Sequence, residues 1–256
     1  MTMTHQNNEP TVTEQNPKTI VISLKEMGER YLGAMQRTHD IAAMVVQGTR
    51  EVNERGYDEL AASARFLPAQ NLRLPFTFAK PVAERWLLRN LLADAFGALV
   101  PFIEDARTVC ALHDWKKAGS DAAALPAIFG EQRQDFLRKD TAAKLAYLKE
   151  THALEPQLCE HITALESLAA CLLRHDGIVQ KGAPLAFTLV SLDLVAAPAG
   201  SANPVQPRLG ETRKEFAPGA EVTLEKVEYL NVIATIALFM NATLRRLQEK
   251  LAPVEE

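Results

Sequence analysis

The sequence predicts a mainly α-helical bundle with long N-terminal helices and a small β-hairpin inserted before the C-terminal helix. Three observations carry that reading. Apolar residues recur at helical spacing through most of the chain. Proline, glycine and cap residues punctuate those runs. One late stretch, from Ala186 to Val195, changes to a composition rich in β-formers. With 256 residues, 47% of them apolar, the chain has ample material for one large core.

The segment 1–18 is rich in Thr, Asn, Gln and Glu and has no basic start followed by an apolar run, so it reads as a disordered tail rather than a signal peptide. A single helical domain over 19–252 follows. Ser23 with Glu26 makes a capping-box pattern. Behind it Met27, Tyr31, Met35, Ile41, Met44 and Val45 predict a long helix to about Arg55, kinked or broken near Gly33 and Gly48 and capped by Gly56. A shorter helix is expected from Tyr57 to Phe66, then an ordered loop through Pro68, Asn71, Pro75, Phe76 and Phe78.

The strongest helical signal runs from Pro81 to Trp115, where Trp86, Leu87, Leu91, Ala95, Leu99, Phe102 and Ile103 form a broad apolar face that Pro101 should kink or split. Short helices follow around Pro126, Gly130 and Phe136. Asp140 then reads as the N-cap of a helix reaching His152, and another helix is expected from about Pro156 to Leu173. The strand from Ala186 to Val195, a loop from Ala197 to Gly210 and a second strand from Thr212 to Phe216 form the hairpin. The final helix is expected after Thr223 as N-cap, stapled by Val222 and Val227, and reaches Leu251. Its apolar stretch from Tyr229 to Met240 is too short to cross a bilayer and reads as a buried core, so no membrane partner is expected.

Composition narrows the function classes. A net charge of −4 and a pI near 5.9 argue against grip on nucleic acid through the overall field, leaving a local basic patch as the only route. Cys110, Cys159 and Cys171 are odd in number and far apart, which fits buried thiols in a reducing, cytoplasmic compartment better than disulfides or zinc. The six histidines do not pair at helical spacing, and no phosphate loop, dinucleotide fingerprint, HExxH or GxSxG is present. No metal and no cofactor are expected.

The most unusual polar cluster is Arg174-His175-Asp176-Gly177-Ile178-Val179-Gln180-Lys181, directly after the apolar run Cys171-Leu172-Leu173. Upstream stands the lysine-bearing run Asp140-Thr-Ala-Ala-Lys144-Leu-Ala-Tyr-Leu148, and downstream a short extended region and a helix opened by Glu221-Val-Thr-Leu-Glu225. In order and spacing these elements, over about 80–252, resemble the HEPN superfamily of helical nucleotide-binding domains. Several members are RNA-cleaving, and their motif is an arginine with a histidine four to six positions on. The resemblance implies a homodimer and a site at Arg174, His175, Asp176 and Gln180 in one cleft, facing RNA, a nucleotide or a partner protein.

The positions where that histidine would stand hold Val179, Gln180 and Lys181. Gln180 can hydrogen-bond but cannot accept a proton near neutral pH. The resulting expectation is a non-catalytic or regulatory binding protein. Two alternatives stay open: a metal-independent endoribonuclease using Arg174 and His175, and a helical self-association protein with no ligand site. Arg107 and His113 repeat the spacing but point to different helix faces. Arg174 and Asp176 equally suit a helix cap and ion pair, Trp86 and Trp115 suit packing, Arg89 and Asn90 an inter-helix polar contact, and Arg208, Arg213 and Lys214 a solvated loop.

Overall fold

A computed structural model describes residues 23–63, 74–119, 121, 123, 125–196 and 205–252. Helix α1 (Leu24–Glu51) starts as expected: the Ser23 hydroxyl accepts the Glu26 amide at 3.3 Å. It runs unbroken through Gly33 and Gly48, because Met27, Tyr31, Met35, Thr38 and Ala42 form a continuous buried stripe that outweighs the weak local propensity of glycine. Gly56 is not its cap. The chain turns at Val52 and Asn53, and Gly56 lies inside α2 (Glu54–Ser63), its amide bound to the Asn53 side chain at 2.9 Å. Pro68 and Asn71 lie outside the described residues.

Helix α3 (Phe76–Lys117) is longer than expected at both ends. Phe76 and Phe78 belong to it rather than to a loop, with Pro75 as the N-cap, and neither Pro81 nor Pro101 interrupts it. Each proline forfeits one backbone bond. Around Pro101 that loss is offset by Leu99, Phe102, Ile103 and Ala106, all sealed in the core. Short α4 (Leu125–Phe129) lies against α3 with Ile128 buried, and α5 (Glu131–Leu137) sets Phe136 edge-on against the ring of Tyr147. Asp140 caps α6 (Thr141–His152) by accepting the Ala143 amide at 2.7 Å, as its sequence position suggests. Helix α7 (Cys159–Arg174) starts three residues later than expected, after Leu158 in a left-handed conformation.

Strands β1 (Leu185–Ala196) and β2 (Val205–Phe216) pair antiparallel, with Leu185 opposite Phe216 and Ala196 opposite Val205. The hairpin is twice as deep as the composition implied: Val205 to Gly210, expected as loop, is strand, since continuing the ladder satisfies its backbone groups despite Pro207 and Gly210. Phe187, Leu189 and Val190 of β1 are buried on α7 and α8, and the Val190 amide donates to the Thr235 hydroxyl at 3.0 Å.

The N-cap of helix α8 (Lys226–Leu251) lies two residues after the expected Thr223. Glu225 is the N-cap, in a reciprocal capping box with Glu228, whose carboxylate also takes Lys214 of β2. The Val222–Val227 staple does not form, because Val222 is buried while Val227 faces outward. The core lies where α1, α3 and α8 meet, and α7 and β1 close one side of it. By length and composition α3 and α8 could each cross a membrane. Their apolar rows, Leu88 to Val109 and Tyr229 to Leu247, face this core instead.

Candidate functional site

The polar cluster singled out in the sequence is the turn that ends α7. The amides of His175 and Gly177 both return to the Cys171 carbonyl, at 3.1 and 3.0 Å, which closes the helix. Asp176 and Gly177 then take φ of +52° and +78°, reversing the chain. Gly177 is required twice over: its φ disfavours a side chain, and a Cβ there would approach the Arg89 guanidinium to 3.3 Å. Beyond the turn, Val222 donates to the Gly177 carbonyl at 2.7 Å and Val179 to the Ala220 carbonyl at 3.0 Å. The turn is therefore sewn to the segment that leads into α8.

Helix α3 holds this clasp from below. Arg89 meets the Asp176 carboxylate at 3.1 Å and Arg85 meets Glu221 at 2.8 Å. Arg89 thus makes the inter-helix polar contact its position suggested, and Asp176 serves as its partner.

The four sequence candidates divide. His175 and Gln180 line one open depression of about 360 Å³, together with Cys171, Val179, Lys181 and Leu185. Gln180 donates to the Ile178 carbonyl at 3.3 Å, which leaves its amide oxygen and second N–H available. Arg174 and Asp176 do not line that depression. Arg174 is exposed and has no hydrogen bond or ion pair among the described residues, while Asp176 points its carboxylate to Arg89. Burial pushes the Cys171 thiol above its ordinary value, the nearby Arg89 charge opposing only in part, so the thiol stays protonated at neutral pH.

The second arginine–histidine spacing proves structural. Arg107 is 1% exposed and donates to the Ile128 carbonyl at 2.8 Å and to Gln132 at 3.4 Å, so it fixes α4 and α5 onto α3 and cannot reach a phosphate. Trp115 packs at the helix end, its indole N–H donating to the Asp121 carbonyl at 3.0 Å. Trp86 does not pack: it is 63% exposed. On the hairpin, Lys214 is consumed by Glu228 and Arg213 lies 3.9 Å from Glu215.

Two features had no clear sequence signal. A groove of about 490 Å³ runs between α6 and α7, floored by Leu145, Leu154 and Cys159 and edged by the Lys149–Glu155 ion pair. The Cys159 thiol, pushed up to about 11 by burial and Glu155, donates to the Pro156 carbonyl, so it is no nucleophile at neutral pH. The second feature ties the last turn of α8 to α3 and α6. His152 Nδ1 lies 2.7 Å from Asp114, Lys250 lies 2.8 Å from the other Asp114 oxygen, and Lys250 also donates to the His152 carbonyl at 2.9 Å.

In that cluster burial lowers the pKa of His152, with Arg107 and Lys250 adding to the effect and Asp114 opposing it. Burial would raise Asp114, but hydrogen bonds from Lys250 and His152 reverse this and leave its pKa low. Both signs point the same way. The unfolded chain binds more protons than the folded one as pH falls below about 6.5, the free-histidine value, so folding stability drops through that window. Asp114 adds a further loss below its ordinary value of 3.8. Urea midpoints measured from pH 7.5 to pH 5 should fall for the wild type and fall less steeply for His152→Gln. Parallel slopes for the two proteins would remove His152 from the account.

No family model, curated protein or solved structure matches this chain.

Proposed function

We propose that the chain is a non-catalytic binding protein that holds a phosphate-bearing ligand, an RNA segment or a nucleotide, at the C-terminal end of α7. The observation that carries this reading is the pairing of His175 with Gln180 in one depression, beside Lys181 and with an unpartnered Arg174 on the adjoining turn. Arg174 and Lys181 supply charge for phosphate oxygens, and Gln180 and His175 supply directional hydrogen bonds. Asp176 supports the site from behind by fixing Arg89 and with it the turn.

Binding is favoured over cleavage on chemical grounds. Strand scission at a ribose needs one group to take a proton and another to give one. Beside His175 the lining of the depression offers Cys171, held protonated by burial, and no carboxylate among the described residues.

Fluorescence anisotropy with a labelled single-stranded RNA tests this directly. Arg174→Ala should weaken binding about tenfold, the equivalent of roughly 1.4 kcal/mol for one lost charge-assisted contact, and Gln180→Ala by less. Affinity should also decline with added salt as phosphate contacts release counterions. Equal affinity of wild type and Arg174→Ala, or no binding at low salt, ends the proposal. Cleavage of the RNA in the presence of chelator, abolished by His175→Ala, would replace it with the ribonuclease reading.

A further inference from the structure

The hairpin has one edge that the fold closes and one that it leaves open. Strands β1 and β2 pair without a bulge, from Leu185 opposite Phe216 to Ala196 opposite Val205. In such an antiparallel ladder every second residue turns its N–H and C=O away from the partner strand. The Val190 amide donates to the Thr235 hydroxyl of α8 at 3.0 Å, so Val190 and Glu211 form an outward pair, and the alternation fixes the rest. On β1 this edge lies against α8. On β2 the outward groups belong to Leu209, Glu211, Arg213 and Glu215, with Pro207 beyond them. Pro207 has no N–H to offer, and it stands at an outward position, where the ladder needs none.

Among the described residues nothing closes the β2 edge. Strand β1 is packed by α7 and α8, whereas β2 has β1 as its one substantial neighbour. Two side chains of β2 do reach helices: Lys214 meets Glu228 of α8, and Glu211 comes to 3.8 Å from His161 of α7. They leave by opposite faces of the strand, and the outward amides and carbonyls lie in the plane between them. In that plane the backbones of Leu209, Glu211, Arg213 and Glu215 have no hydrogen-bond partner among the described residues. Open edges are commonly blunted by shortening, bulging or covering them. Over Leu209 to Glu215, about 20 Å at the usual rise per residue, this edge has none of those devices and keeps only its charges.

From this we infer that the β2 edge is a docking site for an extended peptide of a partner protein, added antiparallel as a third strand. The side chains beside the edge select the peptide. Leu209, Glu211, Arg213 and Glu215 share one face of the strand and are all exposed. An added antiparallel strand sets one residue directly opposite each of them. Complementarity then asks for a basic residue facing Glu215, an acidic one facing Arg213, a basic one facing Glu211 and an apolar one facing Leu209. Read from its N-terminus, the partner is basic, acidic, basic and apolar at every second position. Its excess of positive charge also suits a chain of net charge −4. The Arg213–Glu215 contact at 3.9 Å, exposed on both sides, is weak enough for the peptide to replace. A second copy of β2 fits less well: turned about Thr212 it sets Glu215 against Leu209, and turned about Arg213 it sets Glu211 against Glu215. The inference does not rest on the α7 site.

The probe is a short labelled peptide in which threonine alternates with, in order, lysine, glutamate, lysine and valine. Titrated with the full chain and followed by anisotropy, it should bind saturably, and the same peptide with its three charges reversed should bind at least about tenfold more weakly. Arg213→Glu should cost the first peptide about tenfold, and replacing its glutamate by lysine should restore the loss. Amide hydrogen exchange reads the geometry. Bound peptide should slow exchange at Leu209, Glu211, Arg213 and Glu215 and leave Gly210, Thr212 and Lys214, already bonded to β1, unchanged. Absence of saturable binding overturns the inference, as does equal affinity for the two peptides. Slow exchange at the four outward amides of the free protein would mean that the edge is already covered and would overturn it too. So would a dimer formed without peptide and lost in Arg213→Glu, which would give the edge to a second copy.

Discussion

Truncating Phe102 to alanine is expected to lower the unfolding free energy by about 3–5 kcal/mol, the largest single loss in the molecule. Phe102 is fully buried at the junction of α1, α3 and α8, which are each other's main partners. Tyr31 of α1 meets its ring edge-on at 5.4 Å between centroids, and Phe239 of α8 meets it at 6.4 Å and 76°. Removing the ring therefore deletes the contact of all three helices at once, and the rigid neighbours cannot close the space. Tyr31 is itself fixed by its hydroxyl, which donates to Asp105 at 2.6 Å, so it cannot swing inward without breaking that bond. Guanidinium unfolding measures the loss. Met44→Ala, on the exposed side of α1, should stay within about 0.5 kcal/mol in the same assay. A Phe102→Ala loss below that of an ordinary surface change would mean that the helices do not converge on this ring.

The bundle was legible because its strongest signals are periodic and local. Met27, Tyr31 and Met35 and the rows Leu88 to Val109 and Ile162 to Leu172 are buried as their spacing requires, whereas Ile41 and Met44, expected on the same α1 row, are exposed because Thr38 and Ala42 continue the buried stripe; Ser23 and Asp140 cap where their side chains suggest. The misreadings have a common cause. Gly33, Gly48 and Pro101 suggest breaks by local propensity, whereas a long buried stripe on each helix supplies more than one glycine or proline takes away. Pro207 and Gly210 likewise read as loop by local propensity, while pairing with β1, Gly210 opposite Ser191, carries the strand through them.

The candidate site was legible only in part. Asp176 and Gly177 mark a turn, but that Arg89 from a distant helix would claim Asp176 depends on how α3 crosses α7, which no spacing encodes. Trp86 is a different case. On a helix rich in leucine an indole reads as core, but the buried row Leu88, Leu91, Leu92 and Ala95 sets the rotation of α3, and Trp86, about 200° round from Leu88, is turned outward. His152 carried no local motif, because Asp114 and Lys250 reach it from two other helices, 38 residues before it and 98 residues after it.

Lys144 is expected to separate a structural lysine from a site lysine. It lies on α6, its side chain is 6% exposed and its ammonium meets Glu104 of α3 at 3.3 Å, above the ring of Phe136. Lys144→Ala should cost about 3 kcal/mol, the lower end for breaking a buried pair, because Glu104 keeps some contact with solvent and is not wholly stranded. Replacing both partners, Lys144→Met with Glu104→Leu, should recover most of that loss and come within about 1 kcal/mol of wild type, since neither charge is then left to be desolvated without a partner. The coupling read from the four proteins is the decisive quantity. A large coupling with unchanged RNA affinity makes Lys144 a strut between α3 and α6. A single mutant that folds as stably as wild type but binds RNA less tightly would instead bring the ligand surface across to this face of the bundle.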